Sequence, residues 1–182
     1  MRRGKDISWG YYDADKAARF DYLYDHYKNR ERLLECKKSC VAYMIEGQLM
    51  RSDWDKYCLH YFGRKRLSTV SMVKEWLEKG DITDLFPNGI DLPEDIQRFY
   101  KSYCLMKLEF NIFCDMLKTI GGDDERLLQR YISEEITLWD IADERRISYE
   151  TAKGKIRDLK KTLKERTIVF FTDVDMTVKK CG

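Results

Sequence analysis

Several things are scarce in this chain, and each scarcity excludes something. There are only two prolines in 182 residues, so proline-rich linkers and extended polyproline segments are out. No apolar run reaches the roughly 18 residues that a membrane helix needs, and the basic start MRRGKDISWG lacks the apolar core of a signal peptide. No membrane partner is expected. Histidine is nearly absent: His26 and His60 stand alone, and the six cysteines (36, 40, 58, 104, 114 and 181) form no zinc-knuckle spacing. Free or structural thiols are the expectation, with no metal and no cofactor. Charge of one sign is also missing: 34 Lys and Arg face 32 Asp and Glu, a net +2. That balance excludes a uniformly basic wrapper of nucleic acid, but it leaves a local positive face possible.

What is present points to an ordered, mainly α protein. Hydrophobic residues make up 43%, charged residues 36% and aromatics 13%, enough for one compact domain or two small ones without cross-links. Apolar residues recur at helical spacing from Asp15 to about Glu46, with Gly47 as a candidate end. Further helices are read around Trp54–Tyr61, after a Ser68 cap up to Gly80, and from Pro93 through Leu117. The last uses Ile96, Phe99, Tyr103, Leu108, Phe110, Phe113 and Leu117 as core candidates. Pro87 and Asn88-Gly89 mark a turn, and Gly121-Gly122 marks the clearest internal boundary. Residues 1–122 are therefore read as a helical assembly or partner-binding region.

Charge is unevenly spread. Residues 1–66 hold 15 Lys and Arg against 10 Asp and Glu, residues 67–122 hold 6 against 9, and residues 123–182 hold 13 of each. The first segment can contribute electrostatically; the middle suits packing or protein contact. Arg64, Lys65 and Arg66 form a possible secondary nucleic-acid contact, and Arg2, Arg3 and Lys5 a basic arm. Trp9, Tyr11 and Tyr12 can stack on a base, anchor the arm, or cover the helical core. Asp173 and Asp175 lie close together, but no Ser, His or metal-ligand pattern surrounds them, so no enzyme activity is expected.

The most informative stretch is residues 123–166. A supporting helix is read from Asp124 to about Tyr131. Thr137 caps a short helix with Leu138, Ile141 and Ala142, and Ser148 caps a longer one that turns Ala152, Ile156, Leu159 and Leu163 inward. Between Tyr149 and Arg166 seven Lys and Arg stand against three Asp and Glu. Helical spacing allows Lys153, Arg157, Lys160 and Lys164 to form one solvent-facing basic stripe.

The pairs Ile141-Ala142 and Ile147-Ser148, with Thr151-Ala152-Lys153, resemble the helix-turn-helix of sigma-factor region 4 and of phage late-gene regulators of the ArpU/RinA type. Arg145 stands where an apolar supporting residue is common there, and Arg146 where Gly often relaxes the turn. The resemblance implies a module over residues 123–166 that binds double-stranded DNA, with Tyr149 to Arg157 near the major groove. It implies roles for Ser148, Tyr149, Glu150 and Thr151 at the helix start, and for Lys153 and Arg157 at base or groove edges. Lys160, Lys161 and Lys164 are then phosphate contacts.

The resemblance thus leads one to expect a phage-like transcriptional regulator in the cytoplasm of a bacterial host, with RNA polymerase as a possible partner. The same family context implies one alternative, an anti-CRISPR protein acting on a Cas9–guide RNA complex or its DNA access, and a nonenzymatic protein-assembly factor is a further alternative. Residues 167–182 read as strand-like, with Thr167–Thr172 and Val174–Val178 as short segments suited to an interface. A homodimer would present two helix-turn-helix units at defined spacing.

Overall fold

The computed structural model describes residue 7 and residues 10–49, 73–75, 77–78 and 93–172. Arg2, Arg3, Lys5, Trp9, the helix at 54–61 with Cys58 and His60, Arg64, Lys65, Arg66, the Ser68 cap, the 87–89 turn and the segment 173–182 lie outside the described residues. The described elements are α1 (Lys16–His26), a 3-10 turn (Tyr27–Asn29), α2 (Arg30–Leu49), α3 (Glu94–Lys118), α4 (Gly122–Ile132), α5 (Leu138–Arg145) and α6 (Tyr149–Ile168). Residues 73–75 and 77–78 are also helical. The mainly α reading therefore holds.

Contacts divide the chain into two units, Glu31–Cys104 and a second built from Met1–Arg30 with Leu105–Gly182. These divisions fall elsewhere than at Gly121-Gly122. In the first unit, Val41, Ala42 and Ile45 of α2 pack with Val73, Leu77, Ile96 and Tyr103. Positions four apart share a helix face, which is why 41 with 45 and 73 with 77 pack together. Lys38 bridges Glu35 at 2.7 Å and also Glu78, while Lys74 reaches Glu35 at 3.0 Å. Gly47 does not end α2, which continues to Leu49. One glycine costs a helix only about 1 kcal/mol, too little to stop it alone.

In the second unit, Asp15 caps α1 by accepting from the Ala18 N–H at 2.8 Å. The single helix read over 15–46 is broken at Tyr27–Asn29. There the Tyr27 ring lies 5.7 Å from Phe113, a centre that also takes Phe20 at 5.5 Å and Tyr24 at 6.5 Å. Packing of Tyr27 into this aromatic core coincides with the tightened turn. Along the part of α3 that belongs to this unit, from Leu105 on, the buried residues are Leu105, Met106, Glu109, Phe110, Phe113 and Leu117. Leu108, expected in the core, is 49% exposed because it sits off that stripe, and Glu109 takes the inward phase instead.

Glu109 is wholly buried with Arg19 and Tyr11. The Tyr11 hydroxyl donates to Glu109 at 2.7 Å, and Arg19 Nη2 lies 3.2 Å from Glu109 Oε1. Arg19 also donates to the Thr172 carbonyl at 2.9 Å and sits 5.8 Å from the centre of the Phe171 ring. Of the roles open to Tyr11, covering the core is the one that its burial fits.

The strand expected at 167–172 is absent. Thr167 and Ile168 belong to α6, and turns follow through the Phe170 N–H to Thr167 and the Phe171 N–H to Ile168 carbonyls. The Thr167 hydroxyl donates to the Leu163 carbonyl at 2.6 Å within the helix, and no strand among the described residues offers a ladder to pair with.

Candidate nucleic-acid interface

Three helices, α4 to α6, are joined by two turns of the same construction. After α4, the Glu134 N–H bonds to the Tyr131 carbonyl and the Glu135 N–H to the Arg130 carbonyl. After α5, the Arg146 N–H bonds to Asp143 and the Ile147 N–H to Ala142. Each pair is the 5→2 and 6→1 pattern of a Schellman turn, which requires a left-handed residue. Glu134 (φ 57°) and Arg146 (φ 52°) supply it, without the freedom that glycine would bring.

Both helices that follow these turns are capped as the sequence implies. Thr137 and Asp140 form a reciprocal capping box at α5. Hydrogen bonds from the Thr137 backbone and hydroxyl hold the Asp140 carboxyl below its usual range. Ser148 accepts from the Thr151 N–H at 3.1 Å, and the two hydroxyls lie 2.8 Å apart. Ser148 and Thr151 are therefore engaged with each other at the start of α6. Arg130 on α4 grips Glu144 on α5 through two bonds of 3.0 and 2.8 Å.

Ala152, Ile156 and Leu163 are buried, and Leu159 is half-buried. Arg145 and Arg146 are both exposed, so the charged residue at the supposed apolar position projects outward. Lys153 is 58% and Arg157 80% exposed; their ion partners are the helix neighbours Glu150 (3.6 Å) and Asp158 (3.4 Å). Lys161 is 75% exposed, with Glu165 at 3.9 Å. Pairs of this kind in solvent hold their partners weakly.

Lys160 and Lys164 differ. They share the Lys153–Arg157 side of the helix, but α1 covers it there. Lys160 lies 3.1 Å and Lys164 2.7 Å from the Asp21 carboxyl, and their ammonium groups sit over Tyr24 (4.2 Å) and Phe20 (5.6 Å). Burial raises the Asp21 pKa, but hydrogen bonds from Lys164 and Lys160 outweigh it and keep the carboxyl below its usual range. The single solvent-facing stripe is thus corrected: its first two cations face water and its last two face α1. Lys155, at the back, is taken by Asp124 of α4 at 2.6 Å.

No family model, curated protein or solved structure matches this chain. Among the described residues no three His, Cys, Asp or Glu side chains form a metal-ligand group. His26 stacks on Tyr22 with ring centres 4.1 Å apart, and Cys36, Cys40, Cys104 and Cys114 are in no disulfide among the described residues.

Three residues carry more than their sequence positions suggest. Trp139 is 66% exposed, with its ring 4.6 Å from that of Tyr149, so Tyr149 is half-covered by a neighbour rather than bare. Its position was legible: Leu138, Ile141 and Ala142 define the inward stripe of α5, and residue 139 is off it. Glu134 had no glycine to announce the turn. Asp21 lies 143 residues from Lys164 and carried no local signal.

Proposed function

We propose that this protein binds duplex DNA through α4–α6, used as a helix-turn-helix with α6 presented to the major groove, and that it acts as a phage-like transcriptional regulator. The supporting observation is the exposed row at the start of α6. Lys153 and Arg157 lie one turn apart on one face, with only local carboxylates as partners. The spacing of Ile141-Ala142, Ile147-Ser148 and Thr151-Ala152-Lys153 adds the family likeness. In this reading Lys153 and Arg157 approach base edges or the groove rim, and Lys161 neutralises phosphate. Glu150 and Asp158 oppose indiscriminate binding by competing for the same cations.

The test is selection of a preferred duplex from a random pool, then binding measured across a salt series. Lys153→Ala with Arg157→Ala should weaken binding to the selected duplex by about 1–3 kcal/mol for each lost base contact and relax the sequence preference, Lys161→Ala should lower the slope of log affinity against log salt by about 0.9, and both should leave the circular dichroism unchanged. Unchanged binding by the double variant overturns this assignment of the interface.

A further inference from the structure

Two ammonium groups converge on one carboxylate where α1 crosses the end of α6. Lys160 contacts Asp21 Oδ1 at 3.1 Å and Lys164 contacts Oδ2 at 2.7 Å, one cation to each oxygen. A phosphate diester offers the same chemistry, two anionic oxygens for two lysines. The site is open on one side, with Asp21 46% exposed and the lysines 34% and 27%. α1 itself is fixed, because Phe20 and Leu23 are wholly buried. A carboxylate on a fixed helix is always at hand, whereas a phosphate must arrive from solution.

We propose, resting on the DNA-binding reading above, that Asp21 is a specificity-determining residue that occupies the place of a backbone phosphate at Lys160 and Lys164. On this side of α6 it confines electrostatic contact to Lys153 and Arg157. Lys153, Arg157, Lys160 and Lys164 fall at i, i+4, i+7 and i+11 on one side of the helix, so without the Asp21 charge the 34% and 27% exposed Lys160 and Lys164 would add two cations to the row on their open side. With Asp21 in place, the row ends after Arg157. A short row neutralises fewer phosphates, which lowers sequence-independent affinity and leaves more of the binding to groove contacts.

The experiment compares wild type, Asp21→Asn and Asp25→Asn on one selected duplex and one unrelated duplex, over a salt series. Asp25 is an exposed carboxylate on the same helix, so it controls for the change in net charge. Asp21→Asn should steepen the salt slope by up to about 2 and raise affinity for the unrelated duplex more than for the selected one. Asp25→Asn should leave the slope as in wild type, and adding Lys160→Ala and Lys164→Ala to Asp21→Asn should restore it. If wild type binds and Asp21→Asn keeps its slope, or if Asp25→Asn produces the same change, the role given to Asp21 is wrong while the DNA reading stands. If every folded variant fails to bind any duplex, the DNA reading falls and this inference with it.

Discussion

The two ends of α6 carry similar charge in different circumstances. At its start, Lys153 and Arg157 are paired only with residues one to three positions away, in solvent. Toward its end, Lys160 and Lys164 meet a carboxylate from the far end of the chain and rest against aromatic rings. A lysine count cannot separate these cases. The contrast teaches that a basic helix is a nucleic-acid candidate only over the turns that no other element covers.

The largest test of that contrast concerns how firmly α1 is seated. Phe20 is fully buried in the aromatic core, whereas Trp139 is 66% exposed. Phe20→Ala should cost about 3–5 kcal/mol in urea denaturation, and Trp139→Ala under about 1.5 kcal/mol. Equal costs would mean that α1 does not hold the covered end of α6 as described.

The next effect is a dependence on pH. Burial pushes the Glu109 carboxyl up to about 7, against the lowering effects of the Tyr11 hydrogen bond and the Arg19 charge. In the unfolded chain it releases its proton near its ordinary 4.5, so between the two values the folded state binds the extra proton. Stability should therefore fall as pH rises from about 4.5 through about 7 and level off above, with this group contributing on the order of 3 kcal/mol. Denaturation midpoints measured from pH 4.5 to 8 should lose that slope in Glu109→Gln. A slope that survives the substitution would move its source elsewhere.

The smallest effect lies in the turns. Arg146→Gly and Glu134→Gly should each raise stability by up to about 1 kcal/mol, read as a higher melting temperature, by relieving a left-handed side chain. Arg146→Val should lower it. If both glycine variants are neutral or worse, side-chain contacts at these corners outweigh the backbone strain.

Most local elements were legible because their signals are local. Thr137, Ser148 and Asp15 are caps within three residues of the N–H groups they satisfy, and the inward stripe of α6 follows from helical period alone. What escaped notice depended on distant partners. Arg19 and Glu109 carry no local signal of burial: they are 90 positions apart in sequence, and each is buried against the other. The break after His26 and the helical state of Thr167 likewise depend on tertiary neighbours or on the absence of a pairing strand. In the candidate site, residue types and caps were visible, and the division of the cation row by Asp21 was not.

The bond from Arg19 to the Thr172 carbonyl spans 153 residues and has a consequence for the order of synthesis. Chains emerge from the ribosome N-terminus first, at about 5–20 residues per second. Phe20, Leu23 and Tyr11 therefore leave it long before Phe113, Glu109 and Phe171 exist to cover them. The unit from 31 to 104 can complete its own contacts in the meantime, because every residue of its core has already been made. The N-terminal helix waits as an unsatisfied apolar segment until nearly the whole chain is available, and closure then carries the entropy of joining distant ends. The apolar face of α1 thus stays uncovered at least until Phe113 has been made, and the Arg19 bond to the Thr172 carbonyl can close only after that.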